Sequence, residues 1–159
     1  MKITIVCVGK VKEKYLRDAI AEYEKRLSRY CKLQVIEVAD EKTPDGASTV
    51  VEDQIREKEA ERILKNLRLD DPVVTLEIEG KQMDSVAFAQ KIEQMGVEGV
   101  SHIQFVIGGS LGLHEKVSKV SGWKLSFSRM TFPHHLMRVI LLEQIYRGYR
   151  IINGEPYHK

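Results

Sequence analysis

The sequence predicts an α/β fold with a mostly parallel sheet and helices on both of its faces. Three observations carry the prediction. Runs rich in β-branched residues alternate with charged segments of helical period along the chain. The opening run, Ile3-Thr4-Ile5-Val6-Cys7-Val8, is almost continuous in apolarity, as a strand covered on both faces has to be. No repeat, low-complexity tract or linker interrupts the 159 residues, so residues 1-159 read as a single domain. A chain of that length buries most of its unfolded-state surface without disulfides or a structural metal.

After the first strand, a charged helix spans about Lys14 to Arg29, and Leu33 to Val38 forms a second strand. Asp40 to Ser48, with Thr43-Pro44-Asp45-Gly46, is a surface loop. Thr49 with Glu52 reads as a capping box, opening a helix to about Leu67 whose outer face interleaves Glu and Lys. Asp70-Asp71-Pro72 ends it. Val73 to Ile78 is the third strand, Ser85 to Met95 a helix capped by Asp84, His102 to Ile107 the fourth strand and Trp123 to Ser126 a fifth. Pro133 to about Tyr149 is the last helix, with proline in the first turn, where its missing N–H costs nothing.

Composition narrows the function classes. Cys7 and Cys31 stand 24 positions apart, with no Cys-x-x-Cys and no histidine at zinc spacing, so neither a metal site nor a redox motif is expected. A reducing cytosol is the simpler home. Ile3 to Val8 is too short for a signal or membrane segment and runs into Lys10, Lys12 and Lys14. The formal net charge of +2 is unevenly spread: Lys124 to Lys159 holds six of the 25 Lys/Arg but only two of the 23 Asp/Glu, making this segment +4 and the rest −2. His134, His135 and His158, three of the five histidines, lie there too.

Ligands of open α/β sheets sit beyond the carboxyl ends of strands, which selects Leu76 to Gly80, Gly108 to Gly112 and Phe127 to Phe132. Gly108-Gly109-Ser110-Leu111-Gly112 follows the fourth strand directly. It is neither Gly-x-Gly-x-x-Gly nor a phosphate loop, so a tight turn and a ligand cradle both fit it. In the last helix, apolar residues from Leu136 to Tyr146 spread around the whole wheel, and His134 and Arg138 share a face with Leu141 and Ile145. Such a helix packs on its own sheet and also on a second subunit, giving a two-fold homodimer, or lies between two layers of one monomer.

Four stretches carry a resemblance: Phe105-Val106-Ile107-Gly108-Gly109-Ser110-Leu111-Gly112; Leu125-Ser126-Phe127-Ser128-Arg129-Met130-Thr131-Phe132-Pro133-His134; Leu142-Glu143-Gln144-Ile145-Tyr146-Arg147; and Pro156-Tyr157-His158-Lys159. Together they resemble the large-subunit rRNA pseudouridine N3-methyltransferase H family of the SPOUT superfamily, over essentially the full length. The resemblance implies a single-domain α/β knot whose C-terminal segment is threaded into a trefoil, although chain-connection rules alone nearly exclude a knot. It also implies a homodimer that uses S-adenosyl-L-methionine to methylate N3 of a pseudouridine in 23S rRNA on the assembled ribosome. The family's donor contacts fall on Leu76, Gly108, Phe127, Ser128, Arg129, Met130, Thr131 and Phe132. Phe127 and Phe132 are equally suited to core packing, and Arg129 to facing cofactor, RNA or solvent.

N3 of a uracil-type ring is a weakly acidic imide, so the reaction this family performs needs a group that takes its proton or steadies the anion. His158 as base and Tyr157 as its hydrogen-bonding or base-stacking partner are the catalytic candidates, with Arg147, Arg150 and Lys159 as RNA contacts. His134 and His135 are weaker candidates, and His102 and His114 read as structural. A charge of only +2 makes the chain a poor generic binder of naked RNA, which favours a structured target in a large assembly. Two other function classes fit the fold: a nucleotide-dependent oxidoreductase, disfavoured by the missing glycine fingerprint, and a non-catalytic dimeric RNA-binding or scaffold protein.

Overall fold

A computed structural model describes every residue from Met1 to Lys159. The elements follow as β1 (Lys2–Val8), α1 (Lys14–Leu27), β2 (Lys32–Val38), α2 (Thr49–Lys65), β3 (Val73–Gln82), α3 (Ser85–Val97), β4 (His102–Ile107), α4 (Glu115–Ser118), β5 (Trp123–Ser126) and α5 (His134–Ile152). The strands form one sheet in the order β2-β1-β4-β3-β5, and every neighbouring pair is parallel.

Side-chain alternation divides the interior into two layers. Ile3, Ile5 and Cys7 of β1 and Ile103, Phe105 and Ile107 of β4 meet Leu16, Ile20 and Leu27 of α1, Phe88 and Ile92 of α3, and Leu141, Leu142 and Ile145 of α5. Val6 and Val8 of β1 and Val106 of β4 point the other way, onto Ala60 and Ile63 of α2 and Val117 of α4. Helices therefore cover both faces, which is why the runs Ile5 to Val8 of β1 and Phe105 to Ile107 of β4 are unbroken in apolarity. Each fully buried Ile, Leu or Phe contributes about 1.5–3 kcal/mol relative to an exposed one. Gln104, a buried polar residue in β4, is satisfied: its Nε2 donates to the Arg68 carbonyl at 2.8 Å, and its Oε1 accepts from Arg68 N at 2.7 Å. His102 bridges Thr4 Oγ1 and Asp71, and His114 Nδ1 accepts from Lys116 N, so both serve the framework.

Local differences from the sequence reading have simple causes. The expected capping box at Thr49 does not form, because Thr49 is already helical and Ser48 is the N-cap, its Oγ accepting from Val51 N at 3.2 Å. Ser48→Ala should therefore cost about 1 kcal/mol in urea unfolding while Thr49→Ala costs a few tenths at most. Strand β3 continues past Ile78 to Gln82, since its pairing with Leu125 of β5 slips from Leu76 to Lys81 across a bulge. The last helix runs on to Ile152 and takes Pro133 as its N-cap rather than its first turn. One face of that helix is core, while Leu136, Val139 and Ile140 keep surface open to contact. No helix is long and apolar enough to cross a membrane.

Candidate active site

Beyond the carboxyl ends of β3, β4 and β5 lies a cavity of about 500 Å³, closed on one side by the start of α5. Three backbone segments build it, and each owes its position to the sheet. The bulge in β3 sets Leu76, Glu77 and Ile78 on one wall, the turn after β4 contributes Gly108 to Gly112, and the stretch after β5 contributes Phe127, Ser128, Met130, Thr131 and Phe132. Seven of the eight residues expected to hold a donor thus share one cavity. The eighth, Arg129, belongs to the same loop but is exposed, does not line the cavity and forms no ion pair.

The walls approach one another closely. A Cβ at Gly108 would fall 2.8 Å from the Gly112 carbonyl carbon and 2.9 Å from its oxygen, so only glycine lets the turn fold back on itself here. The loop after β5 is braced internally: Ser126 Oγ donates to the Ser128 carbonyl at 3.0 Å, and Met130 N donates to Ser128 Oγ at 2.9 Å. Met130 itself is 73% exposed, an unusual position for a large apolar side chain at a cavity wall.

Only two lining residues carry ionisable side chains, Glu77 and His134. Glu77 accepts from Ser118 Oγ at both carboxylate oxygens, 3.0 and 3.1 Å, and from Thr75 Oγ1 at 2.5 Å, which fixes its orientation. Burial, with His135 and Arg138 nearby, holds the imidazole of His134 below its ordinary pKa, so it is neutral at pH 7. The cavity is therefore apolar and backbone-lined, with one anionic group and one neutral base.

The polar tail folds back on α5 instead of entering this cavity. Arg147 makes a bidentate pair with Glu143 at 3.1 and 3.2 Å and lies over the ring of Tyr157, 4.5 Å from its centroid. Tyr157 donates to Glu143 Oε1 at 2.8 Å. Burial and that carboxylate push its hydroxyl pKa up to about 12, so it is a donor and not a base. Arg147 Nη1 is 3.1 Å from His158 Nδ1, and an arginine can only donate. The imidazole then carries its hydrogen on Nε2 and has no free lone pair in this arrangement. His158 borders a second cavity of about 400 Å³ that shares Leu125 and Phe127 with the first. Arg150 is tied to Glu155 at 2.6 Å, to Tyr30 Oη at 3.0 Å and to the Pro156 carbonyl at 2.9 Å, and Lys159 is exposed.

Sequence reasoning passed over three members of this region. Glu77 follows Leu76 at a strand end already singled out, and its acidity was the available signal. Arg138, 2% exposed, was visible as a charge on the apolar face of Leu141 and Ile145. Its partner Glu37, whose Oε2 accepts from Arg138 Nη1 at 2.6 Å, carried no such mark.

Comparison with known proteins agrees with this geometry. The chain is 65% identical over its full length, and the relative's full length, to a ribosomal RNA large subunit methyltransferase H from Bifidobacterium adolescentis. It is 60% identical, with the same complete coverage, to a ribosomal RNA large subunit methyltransferase H from Clostridium tetani. A solved structure of a probable methylase family protein from Haemophilus influenzae superposes with a TM-score of 0.57 over 99% of this chain and 70% of that one, at 16% identity, which speaks to the fold alone. A family model described as "Predicted SPOUT methyltransferase" matches residues 1–158, and with the full-length relatives it establishes that this chain belongs to the SPOUT methyltransferases.

Proposed function

We propose that this protein transfers a methyl group from S-adenosyl-L-methionine to N3 of a pseudouridine in 23S rRNA, acting as a homodimer on the assembled ribosome in the cytoplasm. One observation carries the reading: the cavity that gathers Leu76, Gly108, Phe127, Ser128, Met130, Thr131 and Phe132 in a chain whose full-length relatives are large-subunit rRNA methyltransferases. About 500 Å³ suits a nucleoside-sized ligand, and the close approach at Gly108 presents backbone groups able to read an adenine edge. Glu77 complements a ligand whose sulfur is cationic. When bound, S-adenosylmethionine supplies an already activated methyl group.

What remains for the protein is to orient the acceptor and handle one proton. The tail would do so from a neighbouring subunit, since within one protomer Tyr157 and His158 do not line the donor cavity. The open surface of Leu136, Val139 and Ile140 on α5 supports such pairing, as does the wheel of apolar residues around it. Release of Arg147 from His158 Nδ1 would free a lone pair for the base role; in the folded-back state Nε2–H instead suits a developing oxyanion. The family's trefoil knot belongs to the same reading. It is supported by the post-β5 loop meeting the Gly108–Gly112 turn in one cavity before α5 returns across the sheet to α1 and α3.

Calorimetry with S-adenosylmethionine, S-adenosylhomocysteine and NAD tests the donor assignment, and binding of NAD but neither sulfur ligand would end it. Ribosomes incubated with labelled donor test the substrate, with large-subunit rRNA expected to take up label. Deleting Tyr157 to Lys159 should leave the melting temperature and donor affinity nearly unchanged while lowering methyl transfer about 100-fold or more, the usual worth of positioned proton transfer. Full activity in the truncated protein would move the proton-handling group elsewhere. Mixing the truncated protein with a donor-site variant should restore partial activity if tails complete each other's sites.

A further inference from the structure

We infer that Lys10 and Lys12, held on a clamped loop beside the donor cavity, are the contacts that grip the RNA backbone next to the target nucleotide. The inference rests on the rRNA reading above and adds to it the surface that meets the phosphates.

The loop after β1 emerges at the rim of the cavity. Val8 Cγ1 lies 3.1 Å from where a Cβ on Gly109 would sit, and Gly109 lines the cavity. On the other side, His134, also a lining residue, has Nε2 3.6 Å from the Cβ position of Gly9, and His135 Nε2 is at 3.0 Å. Gly9 has φ of +91°, a turn that a side chain would strain. The chain therefore reverses tightly between the Gly108–Gly112 turn and the first turn of α5, then presents Lys10 and Lys12 outward.

Fixed anchors bracket these two lysines. Arg138 Nη2 donates to the Gly9 carbonyl at 3.1 Å, Val11 N donates to Glu37 Oε2 at 3.3 Å, and the same Glu37 oxygen accepts from Arg138 Nη1. Val11 is 4% exposed and sits in the main core cluster, so the extended Lys10-Val11-Lys12 segment turns both ammonium groups to solvent. Holding the backbone in advance removes ordering entropy that a flexible basic loop would lose on binding.

Charge accounting favours this place over the tail. Lys10 and Lys12 form no ion pair, whereas Lys14 is tied to Asp18 at 2.7 Å. Arg147 and Arg150 are already matched by Glu143 and Glu155, so a phosphate there has to displace a carboxylate first. Glu37, the acid that accepts from Val11 N in this loop, is occupied by Arg138. Lysine suits the task because a phosphate contact needs a point charge and no base-specific geometry.

The test is a salt titration of binding to ribosomes isolated from cells that lack the modification, comparing the wild-type protein with Lys10→Gln/Lys12→Gln and Lys10→Arg/Lys12→Arg. The glutamine variant should bind at least 10-fold more weakly at low salt, and the slope of log K against log salt should shrink by about one unit per lysine lost. The arginine variant should keep both. S-adenosylmethionine affinity, read by calorimetry, should be the same in all three. An unchanged slope in the glutamine variant overturns the inference, as does a loss of binding traced to dissociation of a dimer in sedimentation. Wild-type binding with an unaltered glutamine variant defeats the lysine assignment alone, while failure of the wild-type protein to bind ribosomes defeats the rRNA reading along with it.

Discussion

Replacing Gly108 by alanine should raise the dissociation constant for S-adenosylmethionine about 10-fold or more in calorimetry, with a lower melting temperature. The added methyl would meet the Gly112 carbonyl carbon at 2.8 Å, its oxygen at 2.9 Å and Leu113 Cδ2 at 3.0 Å. The leucine tip can rotate away, but the two backbone atoms cannot, so the turn itself has to open. Overpacking of this kind costs about 1–3 kcal/mol, and every 1.4 kcal/mol taken from binding is a factor of 10. The deformation falls on the backbone proposed to face the ligand, so binding should suffer more than folding. Gly122→Ala is the control, because nothing lies within 4 Å of its Cβ position. Equal affinity in the Gly108 variant would show that this turn is not part of the donor site.

The second large effect concerns Glu37 and Arg138, and it should be lopsided. Arg138 is 3% exposed at its side chain and Glu37 38%, so the two charges differ in what they lose when orphaned. Glu37→Ala strands a buried guanidinium with only the Gly9 carbonyl as hydrogen-bond partner and no ion-paired carboxylate. Breaking a buried pair costs about 3–5 kcal/mol, and partial exposure of this carboxylate puts the expected loss near the lower figure. For a chain of this size that corresponds to a melting temperature lower by about 6–12 °C. Arg138→Met keeps the volume and leaves Glu37 able to reach water, so it should cost about 1.5 kcal/mol or less. Adding Arg138→Met to Glu37→Ala should recover most of the loss, and a double-mutant cycle measures it.

The same pair sets an acid limb to stability. Burial raises the Glu37 pKa, but the hydrogen bonds from Arg138 and Val11 N outweigh it and hold the carboxyl below 4.5. Its contribution is therefore complete above pH 4.5 and fades as pH falls through the depressed native value. Denaturation followed from pH 6 down to 3 should show a shallower decline in Arg138→Met than in the wild type.

Much of the fold was legible because strands covered on both faces announce themselves. β1 and β4 could be read from apolar β-branched runs, and α3 from Asp84, whose carboxylate accepts from Ala87 N at 2.8 Å. The bulge in β3 was not legible, since Glu77 to Gly80 reads as the end of a strand and only the partner Leu125 reveals that pairing resumes. For the site, strand-end logic pointed to the three segments that meet, because ligand position follows from sheet topology. The state of the tail was hidden: whether Arg147 faces a phosphate or Glu143 depends on a helical neighbour four residues away and on where Tyr157 folds. The Glu37 to Arg138 bond joins residues 101 apart, a separation that no local pattern encodes.

The register of the central strands has a kinetic consequence. Lys2 pairs with His102 and Cys7 with Ile107, so the inner side of β1 waits for residues made 100 positions later. Until then the most apolar run in the protein, Ile3 to Val8, has only β2 alongside it and a bare edge on its other flank. Long-range parallel pairing of this sort folds slowly, because loop closure has to precede any gain from contact. Lys2 before the run and Lys10 and Lys12 after it are the charges that keep such an exposed strand from pairing with another chain. The lysines assigned to the RNA would thus act earlier in the protein's life as well, guarding the nascent chain before its sheet can close.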